Sequence, residues 1–130
     1  MREIIFRGKR TKSGEWVTGN LWHHTEKASL IWSNELDNKT WVLPETVGQF
    51  TGLTDKNGKK IFEGDIVVCR KPINGNWVDC CVEIGFVEMK QGAFGLHRKQ
   101  GYYRPFKDWL EDYEYEVIGN IHDNRELMGV

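Results

Sequence analysis

The sequence predicts a mainly β fold, and three observations predict it. Trp77 to Val87 is the cleanest strand, in which Val78, Cys80, Val82, Ile84 and Phe86 alternate with Asp79, Cys81, Glu83 and Gly85; this is the period of a strand with two unlike faces. Asp55-Lys56-Asn57-Gly58 lies between the apolar pairs Phe50/Leu53 and Ile61/Phe62. Asn-Gly accepts the positive φ angles of a tight hairpin turn. Finally, the 130 residues include 14 glycines, which implies many turns.

From the N-terminus, Ile4-Ile5-Phe6 reads as a short strand and Gly8 to Gly14 as a polar hairpin loop. Glu15 to Trp22 is the return strand, with Trp16, Thr18, Asn20 and Trp22 on one face and Val17 and Leu21 on the other. Ala28 to Trp32 is a second apolar strand, Ser33 to Lys39 a turn, and Thr40 to Leu43 a further strand. Pro44-Glu45-Thr46 suits a single helical or 3₁₀ turn, because proline is accepted in a first turn. Gly64 permits a bend before the β-branched run Ile66-Val67-Val68-Cys69. Arg70 to Asn76 reads as a long loop, and Gly92 to Leu96 as a strand with a glycine bend. Phe106, Trp109, Leu110 and Tyr113 fall at i, i+3, i+4 and i+7, so Pro105 to Tyr113 is expected to be a helix with one apolar stripe. Glu116 to His122 closes the fold as a strand. Asp123-Asn124 is positioned to cap a last helical turn through Leu127.

Length sets one domain, 1–130, as the expectation; the possible subdivision is 1–43, N-terminal hairpins, and 44–130. Six Trp, six Phe and four Tyr supply a core of ordinary size. The net charge of −1, from 18 basic and 19 acidic residues, gives no global pull toward nucleic acid. It leaves room for a local basic patch. Three cysteines, two of them adjacent at Cys80-Cys81, make neither a disulfide framework nor zinc spacing. They read as thiols in a reducing compartment. Met1 to Arg7 has no apolar core of a signal peptide, and no apolar run is long enough to span a membrane. The expected location is therefore the cytoplasm.

The chemistry-bearing residues each have a plain structural explanation. Glu45, Asp55, Glu63 and Asp65 concentrate carboxylates around the turn. Such a group could serve acid–base chemistry or a metal, but turns collect Asp and Glu for backbone reasons alone. The loop bearing Arg7, Lys9, Arg10 and Lys12 is the best candidate for contact with phosphate, against the plainer role of a solvated hairpin tip. His23 and His24 are adjacent on a strand and point apart, so they chelate one metal poorly. His97, between Leu96 and Arg98, reads as a strand residue. Arg98, Lys99, Tyr102, Tyr103 and Arg104 form a basic and aromatic cluster suited to stacking nucleotides. No Gly-Lys-Ser/Thr phosphate loop, Gly-x-Ser-x-Gly, His-Glu-x-x-His or Cys-x-x-Cys occurs. No cofactor or metal is therefore expected.

Four blocks in order carry a family resemblance. They are Met1 to Ile4 with Phe6 to Lys9 and Gly14 to Val17; Pro44 to Leu53 with Asp55 to Gly58; Ile61 to Val67; and Glu116 to Ile121 with Asn124, Glu126 and Leu127. Residues 20–38 and 71–115 match only loosely. The blocks resemble the YopX family of small proteins of temperate phages and prophages. The resemblance implies a mostly β fold containing an SH3-like barrel around Gly64 to Val67, with an N-terminal hairpin and one or two short helices. That family has no established biochemical activity and so lends no catalytic residues.

The function expected is thus a non-catalytic module that binds a host or phage protein. Trp22, Trp32, Trp77, Tyr102 and Tyr103 are its candidate contact aromatics, since aromatics concentrate at interface hot spots. The alternative is a nucleic-acid-binding barrel using Arg98, Tyr102, Tyr103 and Arg104. A small hydrolase using Glu45, Glu63 or Asp65 ranks third. Glu45, Thr46, Gln49 and Asp55 form a further candidate binding region, whose other role is to fix the loop. A homo-oligomer is compatible with all of these.

Overall fold

The computed structural model describes residues 4–33, 38–73, 76–99, 103–106 and 113–129, with the backbone alone for 71–73 and 76–82. The described chain is mainly β, as expected, with two antiparallel sheets and two 3₁₀ turns. Neither sheet closes into a barrel among the described strands, so the SH3-like closure is not found. The chain divides into two compact units, residues 1–52 and 53–130.

The first unit is a meander. Its strands are β1 (Phe6–Lys9), β2 (Trp16–His24), β3 (Ser29–Ser33) and β4 (Asn38–Val42), followed by the start of β5 (Gly48–Thr54), in the sheet order β4-β3-β2-β1-β5. Gly19 shows why β2 and β3 can approach so closely. A Cβ built there would lie 1.8 Å from the Trp32 carbonyl oxygen. The buried face carries Ile31 and Val42, with Ser29, Ser33 and Thr40. The sheet curls until the end of β1 meets the end of β4. Arg10 bridges Val42, Leu43 N donates to Lys9 O at 2.8 Å, and Thr11 N donates to Trp41 O at 3.1 Å. The 3₁₀ turn Pro44–Thr46 holds this seam: Thr46 Oγ1 accepts from Lys9 N at 2.9 Å and donates to Leu43 O at 2.6 Å.

The second unit is built on the sheet β10-β9-β8-β7-β11, with β6 (Lys60–Phe62) preceding it. Its strands are β7 (Asp65–Ile73), β8 (Asn76–Lys90), β9 (Ala93–Arg98), β10 (Tyr103–Pro105) and β11 (Glu114–Asn120). The expected loop over Arg70 to Asn76 is mostly strand, because β7 and β8 continue their ladder to Ile73 and Asn76. In β8 the alternation can be followed only over 83–87, where side chains are described, and there the core takes Val87 and not the expected Phe86. Val87 is buried in the core, while Phe86 lies on the opposite face, stacked on His97 at 4.8 Å. Pro105 ends β10, paired with Gly95, and Phe106 directly after it is in a 3₁₀ conformation; residues 107–112 of the expected helix lie outside the described residues. The core gathers Ile61, Val67, Cys69, Val87, Leu96 and Tyr115, and Phe106 meets Tyr115 edge to face at 5.3 Å. Each fully buried Ile or Leu contributes about 2 kcal/mol. The chain finishes in a 3₁₀ turn, Arg125–Met128, whose Asn124 does not cap it; Asn124 Oδ1 accepts from Asn120 N at 3.2 Å instead.

Two polar features fix this unit. Asp65, 1% exposed, accepts a hydrogen bond from Phe62 N at 2.7 Å. Asp55 is buried at the β5–β6 turn, where Oδ1 accepts from Asn57 N and Lys59 N, each at 2.9 Å, and Oδ2 accepts from Val117 N at 3.0 Å. Lys56 N donates to Tyr115 O at 2.9 Å, and Lys56 Nζ pairs with Glu116 at 3.1 Å. The turn therefore covers the outer edge of β11, which would otherwise offer unpaired backbone groups.

Cys69 is fully buried; burial first, and then the nearby Glu83 charge, push its thiol well above the ordinary range. Only the thiolate is a nucleophile. In the folded protein Cys69 is expected to resist iodoacetamide at about pH 8, and to be alkylated promptly once urea unfolds the chain. Site-resolved mass spectrometry reads this, and prompt labelling of the folded protein would refute it.

Candidate functional site

The register of the first sheet places an aromatic and cationic set on one face. Arg7 lies opposite Thr18 and Lys9 opposite Trp16. Asn20 lies opposite Trp32, Trp32 opposite Lys39, and Leu30 opposite Trp41. Directly opposed residues share a face, and so do residues two apart along a strand. A register shift between Leu21 and His23 breaks the alternation of β2, and Trp22 sits in it. Its ring lies 6.4 Å from that of Trp32. Ile31, Thr40 and Val42 alternate with these residues and are buried on the other side.

The cations lie on the indoles. Arg7 Cζ is 4.6 Å from the centre of the Trp16 ring, Lys9 Nζ 5.8 Å from the same ring, and Lys39 Nζ 4.2 Å from that of Trp22. Such pairs are favourable by roughly 0.5–1 kcal/mol at exposed sites. Two of the indoles stay open to solvent, Trp22 at 59% exposure and Trp41 at 54%. Beyond the Thr11–Trp41 hydrogen bond the seam opens into a cleft of about 180 Å³. Arg10, Thr11 and Lys12 form one wall, and Asn38, Lys39, Thr40 and Trp41 the other. None of these lining residues is acidic. Among the described residues Arg10, Lys12 and Lys39 form no ion pair with a carboxylate. The cleft is smaller than the roughly 300 Å³ at which enclosed small-molecule pockets begin. It has room for a compact anionic group and not for an engulfed metabolite.

The residues singled out in the sequence are distributed as follows. Arg7 and Lys9 are strand residues seated on Trp16, while Arg10 and Lys12 reach the cleft. Glu45 is exposed, and its neighbour Thr46 secures the seam. Gln49 is half-buried opposite Phe6. Asp55 belongs to the second unit and holds the turn. In the second unit, Arg98 Nη1 donates to Glu83 at 3.0 Å. Tyr103 lies opposite His97 and its hydroxyl donates to Ala93 O, whereas Arg104 lies opposite Leu96 and so on the other face. Arg98 and Arg104 are therefore not brought together with Tyr103 on one surface, and Tyr102 lies outside the described residues. His97 Nδ1 is 3.1 Å from Glu88 Oε1, and His24 Nδ1 is 2.6 Å from Ser29 Oγ. Among the described residues no group of three or more His, Cys, Asp or Glu is placed to hold a metal.

Trp41 and Lys39 are the residues that sequence reasoning missed. The signal was present: Lys39 and Trp41 alternate with Thr40 and Val42, so an inward Val42 implies an outward tryptophan.

A family model described as "YopX protein" matches residues 5–129. The crystal structure of protein EF1440 from Enterococcus faecalis is similar to this chain, with a TM-score of 0.57 and 24% identity, over 98% of this chain and 99% of that one. At that identity the likeness concerns the fold. No curated protein matches the chain.

Proposed function

The chain belongs to the YopX family, and from that premise we propose that it is a non-catalytic interaction module that takes an anionic partner on the cationic tryptophan face of its first unit. The reading includes a phage or prophage origin and a cytoplasmic place of action. Among the described residues no helix is long and apolar enough to cross a membrane. One observation carries the reading: Trp22 and Trp41 stand more than half exposed on a face whose other side is a buried core. Tryptophan is among the commonest binding hot spots. Lys39 over Trp22, with Arg7 and Lys9 over Trp16 on the same face, gives the face its preference for anions.

A tagged pull-down from host cells, with and without nuclease, tests this. The partner, identified by mass spectrometry or sequencing, is expected to be lost with Trp22→Ala and with Trp41→Ala while the circular dichroism spectrum is unchanged. A partner that both variants retain would remove the face from the mechanism.

A further inference from the structure

We propose that the partner is single-stranded nucleic acid: one phosphate lies in the cleft lined by Arg10, Lys12 and Lys39, its neighbours follow the rim, and a base stacks on Trp41. This rests on the preceding reading of the face and names its ligand. Three features of the cleft point to a strand and not to an acidic protein surface. First, three basic residues line one small opening between two hairpins, with no carboxylate among the lining residues. A phosphate backbone offers the densely repeated negative charge that such an all-basic lining takes up. Second, the same opening is walled by Trp41, more than half exposed. An indole flat against a base is the usual way in which single strands are held without sequence preference. Third, the cleft admits a phosphate and leaves the base outside, where Trp41 and then Trp22 continue along the face. A double helix keeps its bases stacked within and has none to offer Trp41. Thr11 and Asn38, both exposed, add a hydroxyl and an amide to the lining, suited to phosphate and sugar oxygens.

The chain as a whole carries a net charge of −1, so binding is expected to be modest and strongly dependent on salt. Three phosphate contacts to a single strand give a slope of log K against log salt of about −2, or roughly a 20-fold loss between 50 and 200 mM salt.

Fluorescence anisotropy with a labelled 20-nucleotide oligo-dT and the full chain tests the proposal, with a duplex of the same length and poly-glutamate as competing probes. Oligo-dT is expected to bind with that salt dependence and to quench tryptophan emission. Arg10→Ala/Lys12→Ala/Lys39→Ala should flatten the slope toward zero. Trp41→Ala should weaken binding roughly tenfold with the slope unchanged, and Trp41→Phe should recover part of the loss. No anisotropy change at 50 mM salt would overturn the proposal, as would equal or tighter binding of poly-glutamate or of the duplex. So would a triple variant with the slope of the parent. If oligo-dT fails while the pull-down partner still depends on Trp22 and Trp41, the nucleic-acid assignment falls and the interaction face stands. If that dependence is absent too, both fall.

Discussion

Gly19→Ala is expected to destabilise the first unit by about 4 kcal/mol, above the roughly 1–3 kcal/mol usual for overpacking. The added methyl would sit 1.8 Å from Trp32 O, 2.8 Å from the Trp32 carbonyl carbon and 3.1 Å from Ser33 Cα. All three are backbone atoms, so no side chain can swing aside. β2 and β3 would have to part, breaking the pairs Asn20–Trp32 and Leu21–Ile31. Trp32 and Lys39 would move with them, so binding on the face falls together with stability. Gly14→Ala is the control. Gly14 has φ +73° but nothing within 4 Å of the new methyl, so only backbone strain of about 1 kcal/mol remains. Urea titration of the two variants should separate them clearly. Equal midpoints would mean that β2 and β3 yield with little resistance.

The second large effect is at Asp55. Asp55→Ala removes the acceptor for three backbone N–H groups, those of Asn57, Lys59 and Val117. Hydrogen bonds to a charged group are worth about 1.5–3 kcal/mol each, less where water can replace the partner. A loss of about 3 kcal/mol is expected, with faster amide exchange at Val117. Asp55→Asn should fall between, since its amide nitrogen cannot accept from Val117 N. The carboxylate also sets a dependence on pH. Burial by itself would raise its pKa, but the N–H groups of Val117, Lys59 and Asn57, with the Lys59 charge, outweigh burial and hold it below 3.8. The folded protein thus binds this proton less readily than the unfolded chain. Its contribution is complete above about pH 4 and is lost as pH falls through the lowered value. The parent should therefore lose stability below about pH 4 more steeply than Asp55→Ala. Parallel acid titrations of the two would refute this account.

These two positions also show what the sequence could and could not convey. Asp55-Lys56-Asn57-Gly58 announced its turn through local chemistry alone, with Gly58 at φ +82°. That the same carboxylate reaches Val117, 62 residues away, has no local signature. Gly19 looks like any strand glycine until the curl of the sheet brings Trp32 O against it. The alternation in β8 was legible, yet which set faces the core depends on what packs there, and Phe86 found His97 instead. The cleft was half legible. Arg10 and Lys12 stood out as a basic loop, but Lys39 and Trp41 join them only because β1 and β4 meet at a seam. The cluster at Arg98 to Arg104 looked continuous in one dimension, and a strand sends its successive residues to opposite faces.

The position of β11 has a consequence for biosynthesis. β7 lies between β8 and β11, so its second neighbour is Glu114–Asn120, translated more than forty residues after it. While the ribosome is still making that stretch, Ile66-Val67-Val68-Cys69 presents an apolar strand with one side bare, the kind of surface that nascent chains share with aggregates and chaperones. In residues 1–52 the strands β1 to β4 each pair with the next in sequence, and the later partner of β1 is short, at Gly48 and Gln49. A stop codon before residue 114 should therefore send the product to inclusion bodies.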